Sequence, residues 1–396
     1  MNILLVTNRF PRDEHDSASP FVPDFVQALS VLGVKVIVLT PQYGPPGAAE
    51  PGNVHRFDFG STNDESPIGS WDVFSPQTWP MIYRLIAAGE QAADDLVVRH
   101  SIDHILALWA LPSGWFARFA ARRHKVPYSV WCLGSDINRW AHRPLFRGMT
   151  RRILREADFI FADGFALAKA ARHLSGRPCR FLPSYRILPD AVPPPEKDLL
   201  SRPFFFYGGR IHQDKGVYDL LLAYERGDLA ARGFDMVLAG DGPELEPVRL
   251  AIREKRLAKH IRLPGRVSNA ELEKYYREAC ATVIPTRSDS LPLVFSEAVQ
   301  CGCPVVAYDT GDLGRFIRRF KVGRVVPPGD ADGLAQAMVD LAAANEMDST
   351  RAHVMLDLLN PARAARKFLA AITSGKAEPG LMKQAVVRES SVKTGR

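Results

Sequence analysis

Residues 284–308 read IPTRSDSLPLVFSEAVQCGCPVVAY: a strand end, a polar turn, a helix, a tight turn and a second strand. Ile284 closes the apolar run that begins at Ala281, and Thr286–Ser290 supply turn-forming side chains. Pro292 sits where a first helical turn accepts proline. Leu293, Val294, Ala298 and Val299 continue as a short helix, which Gly302 and Pro304 stop before the next strand. Such a turn points the free amides near Leu293 and Val294 away from the strand ends, where a helix N-terminus holds phosphate. Asp289 and Glu297 lie eight residues apart with the helix start between them. Two acidic groups beside an anion site suit hydroxyl groups, such as those of a sugar or ribose, better than the phosphate itself. A plain βαβ crossover with a polar surface turn and a capping carboxylate has the same local pattern.

The chain has 396 residues, more than one ordinary core encloses, so two domains are expected. Its 46% hydrophobic and 24% charged residues are those of a globular protein. The net charge of +7 favours anionic partners, whether nucleotides, phospholipid surfaces or nucleic acid. Five scattered cysteines (Cys132, Cys179, Cys280, Cys301, Cys303) argue against a disulfide framework and for a reducing cytoplasm. The Cys301-Gly-Cys303 pair is too close, and lacks the second pair, for a zinc site, so no metal is expected. MNILLVTNRFP at the start reads as a first strand rather than a signal peptide, and no apolar run is long enough for a membrane span.

The first half alternates strands and helices in βαβ fashion. Strands are expected over 3–7, 34–40, 104–108, 128–132 and 159–162, with helices over 21–32, 81–99, 115–123 and 165–174. The loop at 8–20 contains no glycine, so it is not a dinucleotide fingerprint. Its position at a strand's carboxyl end suits ligand contact through Ser17 and Ser19, although a solvated loop fits equally. The segment 41–78 reads as a variable excursion. Leu133-Gly134-Ser135-Asp136 is a turn where Asp136 either meets a ligand or caps the following segment. Basic residues dominate 118–155. Arg143, Arg147 and Arg151 would line one helix face near Trp140, Leu145 and Phe146, a face for anionic lipid, for an anionic acceptor or simply for solvent. No nucleic-acid recognition motif accompanies these charges.

From Pro183 to Pro203 the periodicity breaks, and it restarts in a strand at 204–207 that ends in Gly208-Gly209-Arg210. Lys215-Gly216 follows and opens a helix. A guanidinium and an ammonium flanking a glycine turn suit a diphosphate. Gly240-Asp241-Gly242-Pro243 is a second glycine turn, and Gly265-Arg266-Val267 leads to Ser268, a candidate cap.

In this order, GGRIHQDKG, LAGDGPE, IRLPGRVS, IPTRSDSLPLVFSEAVQCGCPVVA and VGRVVPPGD resemble the donor-binding half of glycosyltransferase family 4. LTP, WALPSG and LGSDI are similar to its acceptor half, so the resemblance runs from about Asn2 to Phe368. It implies an α/β GT-B architecture, two Rossmann-like domains facing across a cleft. The expected layout is an acceptor-side domain at 1–186, a Pro-rich linker at 187–203 and a nucleotide-sugar domain at 204–358. A helix at 361–373 would pack back on the first domain, ahead of a disordered tail at 375–396. The implied activity is retaining, metal-independent transfer of a sugar from a nucleoside-diphosphate donor to a glycan or lipid-linked acceptor, with no cofactor. The setting would be cell-surface polysaccharide or glycolipid synthesis in the cytoplasm or at the inner membrane face.

Carried over by motif, Arg210 and Lys215 would neutralise the diphosphate and Glu297 would hold the ribose hydroxyls. Asp289 would touch the sugar, and Asp136 is the fourth candidate catalytic group. Gly209, Gly240, Val267, Ser290, Leu291, Pro292, Leu293 and Val294 would complete the donor site, with Ser17 and Ser19 on the acceptor side. Two positions depart from the family's pattern: Asp289 stands where many members have Glu, and Leu133 where many have His. These departures leave open a non-catalytic partner subunit, and the architecture is also shared with sugar-nucleotide epimerases. Glu297→Ala and Lys215→Ala are both expected to abolish turnover with nearly unchanged melting.

Overall fold

The computed structural model describes residues 1–12, 16, 19–43, 52–60, 71, 75–188, 200–344 and 347–374. Ser17, the middle of the Pro-rich linker and the tail after Ser374 lie outside these residues.

Thirteen described strands form two parallel sheets. The first contains β1 (Asn2–Val6), β2 (Lys35–Pro41), β3 (Val54–Phe57), β4 (His104–Leu108), β5 (Tyr128–Cys132), β6 (Phe159–Ala162) and β7 (Cys179–Phe181) in the order β3-β2-β1-β4-β5-β6-β7. The second contains β8 (Phe204–Gly208), β9 (Asp235–Ala239), β10 (Ile261–Gly265), β11 (Ala281–Ile284), β12 (Val305–Tyr308) and β13 (Gly323–Val326) in the order β10-β9-β8-β11-β12-β13. In each sheet the winding reverses beside the first strand, between β1 and β4 and between β8 and β11. Strand ends at such a reversal diverge and leave a crevice at their carboxyl edge.

The uninterrupted apolar strands follow from burial on both sheet faces. Along β1, Leu4 and Val6 enter one core while Ile3 and Leu5 enter the other. Along β8, Phe204 and Phe206 face one layer of helices, and Phe205 and Tyr207 the opposite layer. This is the period-two alternation of a pleated strand. β3 lies inside the segment read as a variable excursion. It is a four-residue edge strand whose burial is mostly partial, so it lacks the continuous apolar signature of its neighbours.

The helix Pro361–Ser374 packs on the first domain. Phe368 is fully buried, its ring 6.0 Å from Phe25 and 5.6 Å from Phe161. Lys367 Nζ also donates to the Phe181 carbonyl. No helix among the described residues is long and apolar enough to cross a membrane.

Candidate active site

The turns after β8, β11 and β12 interlock at the carboxyl edge of the second sheet. Gly216, at φ 74°, rests on the next turn: a Cβ there would come within 1.9 Å of the Pro285 carbonyl oxygen. Arg287 N donates to the Asp214 carbonyl at 3.0 Å, and Thr310 Oγ1 to the Thr286 carbonyl at 2.9 Å. Gly240, at φ 142°, leaves no room for a side chain, because a Cβ would lie 1.7 Å from the Gly209 carbonyl oxygen. The glycines read as phosphate-approach residues are therefore also required for the turns to touch one another.

This interlocking brings Lys215, after β8, against Asp289, after β11. Lys215 Nζ donates to both Asp289 oxygens, at 2.5 and 2.7 Å, and Thr286 Oγ1 donates to Oδ2 at 2.7 Å. The pair sits at the point where the sheet's winding reverses. Its side chains are 34% and 22% exposed, so ligand can reach it. Arg210 is exposed, and among the described residues its side chain makes no hydrogen bond or ion pair. Its carbonyl accepts from Tyr207 OH at 2.8 Å.

The helix after β11 spans Leu293–Gln300, with Pro292 in extended conformation as the residue before it. Its first hydrogen-bonded amide in this turn is Phe295 N, donating to the Pro292 carbonyl at 3.0 Å. Among the described residues the amides of Leu293 and Val294 have no backbone acceptor, and the positive end of the helix dipole lies with them. Ser290 and Leu291 are buried, while Pro292, Leu293, Val294 and Val267 are half-buried.

Glu297 lies one helical turn deeper and is 3% exposed. Oε1 accepts from Arg186 Nη1 at 3.3 Å, and Oε2 accepts from Tyr276 OH at 2.9 Å. Burial pushes its carboxyl above the usual carboxylate range, while the Arg186 charge and the Tyr276 hydrogen bond pull the other way. Neither partner carried a sequence signal. Arg186 lies in the stretch without periodicity, and Tyr276 is one of two adjacent tyrosines on an amphipathic helix. The burial also corrects the expectation that Glu297→Ala leaves melting unchanged, because that substitution strands the Arg186 guanidinium in a buried site.

Asp136 is 1% exposed, and its oxygens accept four backbone amides: Ala110 at 3.0 Å, Leu133 at 3.3 Å, Gly134 at 3.1 Å and Ile137 at 3.1 Å. Of its two sequence-level roles, the geometry displays the capping one, with the carboxylate shaping the turn after β5. The turns after β1 and β4 are bridged by hydrogen bonds. Ser113 Oγ donates to Asn8 Oδ1 at 2.5 Å, and Asn8 Nδ2 to the Leu111 carbonyl at 3.2 Å. Ser19, at φ 51°, accepts at its carbonyl from Val22 N at 3.0 Å and thereby starts the first helix.

The two domains touch through these same turns. The Asp312 carboxylate accepts Ala166 N at 3.0 Å, so a second-domain side chain caps the first-domain helix Phe165–Ser175. Gly164 lies against this contact, where a Cβ would sit 2.1 Å from Ser290 Oγ and 2.6 Å from Asp312 Oδ2. Asp163 beside it is 7% exposed, and its carboxyl is pushed well up by burial and then by the Asp136 charge. Leu293 packs on the first-domain apolar cluster that Leu133, Trp109 and Phe10 also border. Leu133 thus meets an apolar environment, which a leucine satisfies.

Comparison with known proteins agrees with this arrangement. The Glycosyl transferase 4-like domain matches residues 18–183, and Glycosyl transferases group 1 matches residues 194–352. The chain is 25% identical over 363 residues to the putative teichuronic acid biosynthesis glycosyltransferase TuaC of Bacillus subtilis, covering 85% of this chain and 88% of that protein. It is 30% identical over 274 residues to the GDP-mannose-dependent alpha-(1-6)-phosphatidylinositol monomannoside mannosyltransferase of Mycolicibacterium smegmatis, covering 63% of this chain and 69% of that protein. Sucrose-phosphate synthase from Thermosynechococcus elongatus superposes with a TM-score of 0.71 at 19% identity, over 98% of this chain and 99% of that one. HepE from Anabaena in complex with UDP-glucose does so with a TM-score of 0.65 at 16% identity, over 99% of this chain and 100% of that one. Two parallel sheets joined through their carboxyl-edge turns, matched along most of their length by these models and relatives, make this chain a member of glycosyltransferase family 4 with the GT-B fold.

Proposed function

We propose that this glycosyltransferase transfers a hexose, with retention of anomeric configuration, from a uridine or guanosine diphosphate sugar to a glycan or lipid-linked acceptor. The product belongs to cell-surface polysaccharide or glycolipid synthesis, as the names of the teichuronic acid and phosphatidylinositol mannoside relatives suggest. The observation that carries this reading is the meeting of Lys215 with Asp289 at the reversal of the second sheet, beside the Leu293 and Val294 amides.

Lys215 has three donors and spends two on Asp289, which leaves one for a diphosphate oxygen. Arg210 supplies a planar fork from the same turn, and the two helix amides add aligned dipoles. Charge grows on the diphosphate as the glycosidic bond breaks, and these fixed donors stabilise it where it develops. On this reading the reaction is metal-independent. Asp289 holds the transferred sugar and Glu297 the ribose hydroxyls. Val267 lies against the base, and Gly209 and Gly240 let the phosphates approach the backbone. Asp136 acts by holding the β5 turn open toward the acceptor.

The helix Pro144–Glu156 is the membrane-facing element of this reading. Arg147, Arg151, Arg152 and Arg155 are exposed on it, as is Leu145 at 67%. Trp140, with Arg139 and Arg143 over its ring, stands at its start. A basic face edged by apolar side chains suits an anionic leaflet carrying a lipid-linked acceptor.

The test is a panel of UDP- and GDP-sugars assayed for nucleoside diphosphate release, with and without acceptor extracts and with and without EDTA. The expected result is release that acceptor stimulates and EDTA leaves unchanged. Binding without acceptor-stimulated turnover across the panel would overturn the reading.

A further inference from the structure

Both Glu297 oxygens already hold one protein donor each: Arg186 Nη1 on Oε1 and Tyr276 OH on Oε2. A carboxylate oxygen offers two acceptor positions, so one remains on each. Two free positions on one rigid carboxylate match the two adjacent hydroxyls of a ribose. A carboxylate this deeply buried needs a cation to remain charged, and Arg186, itself 8% exposed, is the group that provides it.

Arg186 is fixed through its own backbone and its neighbours. Gln300 Nε2 donates to the Arg186 carbonyl at 3.2 Å, and Leu188 N donates to Gln300 Oε1 at 3.1 Å. Ile187 N donates to Asp24 Oδ2 at 2.8 Å, on the first helix of the other domain. The inter-domain connector is thus strapped to both domains at Arg186 itself and at the two residues that follow it. The catalytic reading above gives Arg186 no role, although the buried guanidinium is paired with the carboxylate assigned to the ribose.

From this geometry we infer that Arg186 is a positioning residue, whose strapped guanidinium keeps the Glu297 carboxylate charged and oriented to accept both ribose hydroxyls of the donor. The inference rests on the proposed role of Glu297. The other titratable or charged groups facing Glu297 are Tyr276 on the helix Asn269–Glu278, Tyr185 on the connector and Cys301 at the end of its own helix. Asp24 acts on the pair through Arg186, and Glu273 and Arg277 act through Cys301. Neither tyrosine ionises near neutral pH, because burial raises both phenols, and Cys301 is pushed up to about 12. Removal of the guanidinium therefore lets Glu297 take up a proton, which converts an acceptor of two hydroxyls into a competing donor.

The experiment is calorimetric titration of UDP and GDP into wild type, Arg186→Met, Arg186→Lys and Glu297→Gln, from about pH 6.5 to about pH 9. Each variant is compared with wild type at the same pH, so ionisation of the nucleotide cancels. For whichever nucleotide wild type binds more tightly, Arg186→Met is expected to weaken binding roughly tenfold or more at the acid end. That deficit should shrink toward the alkaline end as Glu297 regains its charge, and Arg186→Lys should restore most of the affinity. A merely structural arginine would lower melting without a pH-dependent affinity ratio. Affinity in Arg186→Met within about twofold of wild type throughout, or a loss independent of pH that lysine does not rescue, overturns the inference. Wild-type affinity in Glu297→Gln would instead overturn the ribose role of Glu297, so the two failures are distinguishable.

Discussion

Lys215→Ala removes an ammonium held 2.5 and 2.7 Å from the Asp289 oxygens, and it tests the proposed donor site directly. A unit charge about 4 Å from a phosphate oxygen, at an effective dielectric near 20, interacts by about 4 kcal/mol, an upper figure for what the ammonium contributes. Removal of one fixed donor from a developing oxyanion costs about 10²- to 10³-fold in rate, so kcat should fall by about that factor. Stability should hardly change. The pair is a third exposed on the lysine side, and such pairs contribute about 0.2–1 kcal/mol. Asp289 also keeps its Thr286 hydrogen bond. In a chain of this size the melting temperature should move by no more than about 2–4 °C. The assay is nucleoside diphosphate release at saturating donor and acceptor, with scanning calorimetry of the same preparations. A folded Lys215→Ala protein with kcat within about fivefold of wild type would refute the assignment of this ammonium to the leaving group.

Other perturbations separate the site from its supports. Glu297→Ala leaves the Arg186 guanidinium buried without its partner, a loss of about 3–5 kcal/mol, and calorimetry should register a clear drop that Lys215→Ala lacks. An unchanged melting temperature would contradict the pairing. Asp312→Ala uncaps the helix Phe165–Ser175 from across the domain junction, at about 1 kcal/mol. Hydrogen exchange at Ala166 should speed up about fivefold, and unchanged exchange would show that the cap contributes nothing. His104, buried and 2.8 Å from Ser129 Oγ, is held down to about 4 by burial. The unfolded chain therefore binds the proton first, and stability is lost as pH falls from 6.5 toward about 4. The full contribution is about 3 kcal/mol. His104→Gln does not titrate, so denaturant melts should show the stability gap between wild type and variant changing across that window. A gap independent of pH would rule out this linkage.

The elements that the chain's order revealed are those whose signal is local. Phe159–Ala162 is a continuous apolar run, and Ala281–Ile284 and Tyr128–Cys132 are apolar apart from Thr282 and Ser129, because both faces of these strands are covered, and runs of that kind identify a parallel sheet at any position in a chain. Gly216, Gly240 and the Ser290–Val294 turn could be read because a glycine at a strand end and a proline before a helix each impose a backbone shape. β3 escaped notice because an edge strand is only partly buried, and the capping role of Asp136 stayed open because one of the four amides on its carboxylate, that of Ala110, comes from 26 positions away.

By itself, then, the sequence determined the alternation of strands and helices, the break between two domains and the residue types of the proposed anion site, all of which are set by neighbours within a few positions. Tertiary structure alone decided which of those residues meet. Lys215 reaches Asp289 because β8 and β11 lie adjacent, Glu297 finds Arg186 across 111 positions, and Asp312 caps a helix 146 positions earlier. The physical reason is that a side chain's charge and a helix's free amides act over a few ångströms of space, while chain order constrains only the few residues on either side.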